Sequence, residues 1–401
     1  MVAVQDLPAT GTSPDDTARY TVGWIAPLPV ELTAGLGLLE DRTTMEVPGD
    51  DATYHVGRIG RHFVVMVVCP SIGILSAAMA LTNMRRSFRN IRHVLVVGTA
   101  GGVPCYGPDM DEQIVLGDVV VGIPHHGTGG VTHYEFGAWQ QGENDLTVKA
   151  HTLHPSAALL SAVNNLRSAH MMAGGSRIPQ YLQELRKGLD ERSRQRYEDP
   201  GAEHDYLFED DDYLHHPDGS RGKFCEGLCD ATRARRRNDR GSWAERESDR
   251  PEIHYGNIGS ASAGVVSDYQ ALVIRGICNY ADSHKNKKWQ GYAAATAAAY
   301  AKEVLLLVPS GRRVSTESSV ADDRDGNNSA RESGSGRDAV HNSGAGFMNF
   351  TSGSAGSPMN NNAAGSQYSI PYYGHPYAFP QLYQLPPPFI LPPVGYHYPS
   401  R

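Results

Sequence analysis

From Tyr20 onward, short apolar blocks alternate with stretches whose apolar residues recur at helical spacing. Thr21 to Ala26 is a continuous apolar block of strand length, which predicts a buried strand. Pro27-Leu28-Pro29 turns it into a helix, because proline fits a first helical turn where its missing donor costs nothing. Leu32, Leu36 and Leu39 then share one face. Tyr54 to Ile59 and Phe63 to Val68 predict two strands joined at Gly60-Arg61. Ser76 to Phe88 predicts an amphipathic helix with Ala77, Leu81, Met84 and Phe88 in one stripe. Val94 to Val97 predicts a strand ending at Gly98, and Val115 to Val121 a further strand interrupted by Gly117-Asp118. Ile253 to Ile258 and Ala271 to Ile277 return as strands, and the Ala-rich Gly291 to Val308 closes the pattern as a helix. This alternation implies an α/β class with a mainly parallel or mixed sheet.

The pattern divides the chain of 401 residues. Residues 1–18 are polar and are expected to be a loose, disordered leader. Residues 19–309 form the domain. Within it, 174–251 is a charged excursion with one expected helix, Ile178 to Leu189, and otherwise loop. Residues 310–366 are rich in Gly, Ser, Asn and Asp and bury too little apolar surface to offset the entropy of ordering. Residues 367–401 hold nine prolines interleaved with tyrosines. Residues 310–401 are therefore expected to be a disordered tail, with 371–401 suited to a partner that reads polyproline II.

A net charge of -8 gives no reason to expect nucleic acid. The basic run Arg233 to Arg237 has acidic neighbours and reads as a solvated loop. Five cysteines in a long chain argue against a disulfide framework. The start has no charged-then-apolar signal sequence, and no apolar run reaches the ~20 residues of a membrane helix. A cytoplasmic protein is the expectation. Cys225-x-x-x-Cys229, with His215 and His216 nearby, fits half a zinc site loosely, and no clear second half follows. His125-His126 lacks a carboxylate at helical spacing. No metal is assigned.

Four groups could carry chemistry. Gly98-Thr99-Ala100-Gly101-Gly102 follows a buried strand, and glycines there let a ligand approach exposed backbone N–H groups. It is neither G-x-G-x-x-G nor a P-loop, and a strand-end turn explains it equally well. Glu31 lies in the first turn of a helix, where it complements the helix dipole or orients a water. Arg275-Gly276-Ile277-Cys278-Asn279-Tyr280-Ala281-Asp282 sits at a strand's carboxyl end, where ligands of open α/β sheets gather. Leu116-Gly117-Asp118-Val119-Val120-Val121, followed by Tyr134-Glu135-Phe136-Gly137, offers aromatic rings to stack on a base or to pack in the core.

In this order the segments YTVGWIAPLPVELTA, YHVGRIGRH, VLVVGTAGGVP, IVLGDVVVG, THYEFG, DYLFE, EIHYGNI and LVIRGICNYADSHKNKKWQGYAAATAAAYAKE resemble the nucleoside phosphorylase and nucleosidase superfamily, fungal type. The resemblance spans Tyr20 to about Leu307. It implies a three-layer α/β fold with a twisted, partly barrel-like mixed sheet, usually in a homo-oligomer. It implies cleavage of a purine nucleoside or nucleotide N-glycosidic bond without metal or organic cofactor. Glu31 matches the residue that positions water in nucleosidases. Gly98, Thr99, Ala100 and Gly101 match the loop that contacts nucleophile and ribose, and Phe136, within THYEFG, is kept as a candidate substrate-binding aromatic. Val96 stands where phosphorylases of the bacterial hexameric type carry an arginine, so a nucleosidase is favoured over a phosphorylase.

Two departures point to impaired catalysis. Asn279 stands where the family has the Asp that acts at the purine N7, and an amide hydrogen-bonds but delivers no proton. Between the IHYG and LVIRG strands only Gly259 to Gln270 remain of a longer family segment. Its ribose-binding glutamate is absent, and Asp268 is no evident substitute. The alternative expectation is a catalytically inactive nucleotide-binding or signalling module.

Overall fold

The computed structural model describes residues 14–71, 73–103, 113–125, 128–132, 137–139, 146–148, 153–208, 229–240, 244–259, 269–281, 284 and 287–310. The expected tail, Phe136, Cys225, His215, His216, His126, Asp268 and Asp282 lie outside the described residues.

Eight strands form the main sheet: β1 Val22–Ala26, β2 Glu40–Glu46, β3 Thr53–Ile59, β4 His62–Val68, β5 His93–Gly102, β6 Val119–Gly122, β7 Ile253–Gly256 and β8 Ala271–Tyr280. Their order across the sheet is β7-β6-β8-β5-β1-β4-β3-β2. The centre β8-β5-β1-β4 is parallel, while β2-β3-β4 is an antiparallel meander. β6 runs antiparallel to β8, and β7 parallel to β6. The class is mixed α/β, as the alternation implies.

Side chains alternate faces along each central strand, so the apolar blocks serve two cores. Trp24, Met66, Leu95, Val97, Leu272 and Ile274 face one core. Ile25, Val65, Val67, Val94, Val96 and Val273 face the other. The second core is covered by α2, Ile74–Ser87, through Ala77, Leu81 and Met84. The first is covered by α1 Pro29–Leu36, α3 Ala157–Ala173, α4 Ile178–Lys187 and α5 Lys288–Leu307.

The alanines of α5 have a steric purpose. Residues from Trp289 to Leu305, Gln290 excepted, are buried on every side of this helix. A Cβ on Gly276 of β8 would run into the Ala293 backbone. The helix therefore lies directly on the sheet, and small residues on both partners permit that approach.

Several expectations are corrected. β5 does not stop at Gly98: it runs through Gly102 because β8 pairs with it as far as Tyr280. The strand expected from Val115 starts only at Val119, since Gly117 adopts φ +97° and turns the chain. β2 and α3 have no counterpart among the expected elements. β2 is polar and largely exposed, so it shows no apolar block. Pro14–Ala18 forms a short helix within the expected leader.

The excursion is not simply loop. Besides α4 it holds the helix Glu191–Arg196 and a strand pair, Tyr206–Leu207 with Arg235–Arg236. The basic run is not wholly solvated either: Arg233, Arg235 and Arg236 are exposed, but Arg237 and Arg240 are buried. Both reach Asp205, which is also buried, at 2.6 and 2.8 Å. Arg237 also donates to the Leu116 carbonyl, and Arg240 to the Tyr280 hydroxyl. Charge neutralisation, which single-residue hydropathy does not register, draws these side chains inside. Among the described residues no helix is long and apolar enough to cross a membrane.

Candidate active site

Two neighbouring strands and one helix turn converge at the carboxyl end of the parallel centre. Pro29 opens α1 directly after β1, which places Glu31 in the first turn. Its Oε2 accepts the Leu28 N–H at 2.7 Å and so caps the helix. Its Oε1 turns across to β5, accepting the Thr99 N–H at 2.6 Å and the Thr99 hydroxyl at 2.9 Å. Glu31 is thus both cap and site residue.

Arg275 joins it from β8, in register with Gly98. A Cβ on Gly98 would collide with the Arg275 guanidinium and lie 2.7 Å from Glu31 Oε1. Gly98 is therefore glycine because two opposite charges meet above it. Burial raises the Glu31 carboxyl above its ordinary value, against the opposing pull of Arg275 and of the Thr99 and Leu28 donors. Burial also lowers Arg275, with Glu31 opposing. Cys69, just beyond β4, feels the same burial and the Glu31 charge, and its thiol is pushed up to about 11.

Three positions further along β5, Asn279 faces Gly101 across a bulge in β8. A Cβ on Gly101 would lie 3.0 Å from Asn279 Oδ1. The Asn279 amide donates to Cys278 Sγ at 3.1 Å, and that thiol points to the Ala100 carbonyl at 3.6 Å. Tyr280, the next residue, is anchored in the excursion by the Asp205 carboxylate at 2.9 Å. The structure thus places Glu31, Gly98, Thr99, Ala100, Gly101 and Asn279 along one strand end. Phe136 lies outside the described residues.

Arg275 had no assigned role in the sequence, although it opens the Arg275-Gly276-Ile277-Cys278 motif. The signal that could find it is a cation inside an otherwise apolar strand, since a buried guanidinium requires a partner. Across β5 the carboxylate whose charge it feels is Glu31. A second buried centre, Asp118, lies at the turn before β6. It accepts from Val115 N, Glu252 N, Arg246 and His254 at 2.9 to 3.0 Å. Burial would raise this carboxyl, but His254 and Arg246 together hold it below its ordinary value.

Residues 21–186 match the phosphorylase superfamily model. A nucleotide-binding leucine-rich repeat (NLR)-like protein of Hyaloscypha variabilis is 34% identical over 318 residues, covering 72% of this chain and 29% of that protein. The chain thus spans less than a third of that relative's length. Among solved structures, a 5'-methylthioadenosine/S-adenosylhomocysteine nucleosidase from Neisseria meningitidis in complex with methylthio-immucillin-A is similar at TM-score 0.38 and 16% identity. That match covers 71% of this chain and 98% of the other. A futalosine hydrolase of Helicobacter pylori is similar at TM-score 0.39 and 15% identity, covering 72% of this chain and 97% of the other. By the matched model, residues 21–186 of this chain are a domain of the phosphorylase superfamily.

Proposed function

We infer that this domain hydrolyses the N-glycosidic bond of a purine nucleoside or nucleotide, slowly, in the cytoplasm. The observation that carries the reading is the Glu31–Thr99–Arg275 group at the end of β5. A carboxylate accepts about four hydrogen bonds, and three on Glu31 are supplied by Leu28 and Thr99. The remaining lone pair would hold an attacking water. As the sugar carbon gains cationic character, the water oxygen bonds to it, the C–N bond breaks, and Glu31 accepts the water's proton. Its raised pKa suits that acceptance. The electron pair of the broken bond leaves with the base. Asn279 hydrogen-bonds the base without protonating it, and a missing general acid typically costs ~10²–10⁴-fold. Arg275 is engaged with Glu31, and Val96 supplies no cation, so a phosphate nucleophile has little to hold it.

The second reading is an inactive nucleotide-binding or signalling module. Asn279 favours it, and so does the relative described as NLR-like. In either reading the domain would work as a homo-oligomer, with residues 371–401 presented to a polyproline-reading partner.

The deciding experiment is base release by the full chain from adenosine, inosine, methylthioadenosine and ATP, with and without phosphate. Free base that does not require phosphate supports the nucleosidase. No base from any substrate, with a thermal shift by adenine or a nucleotide, supports the module. Neither turnover nor binding overturns both.

A further inference from the structure

Consecutive residues at the end of β8 serve opposite faces of the sheet. Asn279 turns to Gly101, where an added Cβ would lie 3.0 Å from Asn279 Oδ1. Tyr280 turns into the first core and is buried. The ladder itself supports this strand end weakly. Among the described residues, backbone bonding on the β6 side stops at Ile277, which pairs with Gly117 and Asp118. On the β5 side a bulge between Ile277 and Asn279 interrupts the register. The charged excursion supplies the missing restraint. The Tyr280 hydroxyl donates to Asp205, 2.9 Å from Oδ1 and 3.1 Å from Oδ2, and accepts from Arg240. Arg240 Nη2 also donates to Asp205 Oδ1 at 2.8 Å, and Arg237 Nε to Asp205 Oδ2 at 2.8 Å. Arg237 is held in turn by the Leu116 carbonyl and by the Trp289 ring, whose centroid is 4.8 Å away.

We propose that Tyr280, clamped by Asp205 and Arg240, is a positioning residue that holds Asn279 in place for the base, so that the charged excursion sets the geometry of the site from behind the sheet. The proposal rests on the reading of Asn279 as the residue that meets the base. Leverage is the first argument. Asn279 and Tyr280 share one peptide unit, which is planar and stiff, so a slide or twist at Tyr280 passes directly to Asn279. Direction is the second. Burial and the Asp205 charge raise the Tyr280 hydroxyl well above its ordinary range, so it stays a donor. The hydroxyl, the carboxylate and the Arg240 fork then fit together in one arrangement, strengthened by their low-dielectric surroundings. The third argument is cost. A buried ion pair stabilises a fold little more than well-packed apolar residues of equal volume. What this set adds is a fixed orientation, and the residue it orients adjoins Asn279.

Tyr280→Phe in the full chain tests this, since it removes the hydroxyl and keeps the ring. A misplacement of about 1 Å can cost ~10²-fold in rate, so base release from adenosine is expected to fall about ten-fold or more. The specific readout is coupling. Asn279→Asp is expected to raise base release ~10²–10⁴-fold when Tyr280 is intact. A displaced carboxyl in the double variant should forfeit about ten-fold or more of that gain. A loss of stability alone leaves the gain intact. The full gain in both backgrounds therefore overturns the proposal and leaves the nucleosidase reading in place. Should Asn279→Asp bring no gain, adenine affinity decides. Weaker adenine binding by Tyr280→Phe than by the wild-type chain supports the positioning role. Equal binding, or none by either protein, overturns it. Should no protein release base, the nucleosidase reading fails, and the same affinity comparison still decides. Should Tyr280→Phe fail to fold, Arg240→Lys takes the same measurements, because it keeps the charge and loses the fork. Loss of the fold in both variants assigns the network to stability alone and overturns the proposal.

Discussion

The Thr99 N–H and hydroxyl both donate to Glu31 Oε1, at 2.6 and 2.9 Å, and so tie the end of β5 to the first turn of α1. Replacing this carboxylate tests the proposed chemistry directly. In Glu31→Gln one oxygen becomes an NH2 that faces the Leu28 or Thr99 donors, and Arg275 loses its counter-charge. Base release is expected to fall by ~10²-fold or more. Stability should fall by about 1–3 kcal/mol through the mismatched donors. A variant that melts like wild type and still turns over at the wild-type rate removes Glu31 from the mechanism.

The same residue sets a pH dependence. Burial raises the folded-state pKa of Glu31 above the ordinary glutamate value of 4.5. The native state therefore binds this proton more tightly than the unfolded chain does. Its favourable contribution to stability is complete below the unfolded pKa and is lost as pH rises through the folded one. Catalysis needs the opposite form, the ionised base. The acid limb of the rate profile is therefore expected above the ordinary glutamate range. A limb at or below 4.5 contradicts the assignment of Glu31 as the base.

Asn279 is the position at which activity should be gained. Its side chain sits against Gly101, where an aspartate of nearly equal volume fits. Asn279→Asp supplies the missing acid at the proposed base position, and base release is expected to rise ~10²–10⁴-fold. An unchanged rate in a folded Asn279→Asp protein that still binds adenine would show that proton delivery is not what limits turnover.

How much of this was legible in the sequence depends on what each residue contributes. The central strands and α5 are readable because their apolar blocks are long and buried on two faces. β2 is not readable, because an exposed edge strand of mostly polar residues has no period to detect. Glu31, the glycine run and Asn279 could be placed at strand ends from their neighbours. The pairing of Arg275 with Glu31 could not, because it depends on β8 lying beside β5, a contact between segments more than 170 residues apart. The burial of Arg237 and Arg240 was hidden for the same reason: Asp205, their partner, lies outside the basic run.

That partnership yields a packing prediction. Asp205 is the carboxylate shared by Arg237, Arg240 and Tyr280. Asp205→Ala would leave two buried guanidinium groups without it, at a cost of about 3–5 kcal/mol. The loss should be read as a lower denaturation midpoint with an unchanged m value. An unchanged midpoint would mean that the excursion contributes nothing to holding Tyr280.

Asp118 should control acid stability. The chain turns at Gly117 so that this carboxylate can gather donors from Val115, Arg246, Glu252 and His254. With that set its folded-state pKa lies below the ordinary aspartate value of 3.8, despite full burial. The unfolded chain therefore binds this proton more tightly. The stabilisation is present above the unfolded pKa and is lost as pH falls through the folded one. Asp118→Asn keeps the size but removes the charge that holds Arg246 and His254, and is expected to cost about 3–5 kcal/mol at neutral pH. Its stability should then vary less than that of the wild type as pH falls below 3.8, since the titrating group is gone. Denaturation series for both proteins, stepped from neutral pH into the acid range, provide the check. Parallel curves would assign acid unfolding to other carboxylates and leave Asp118 a neutral, hydrogen-bonded core residue.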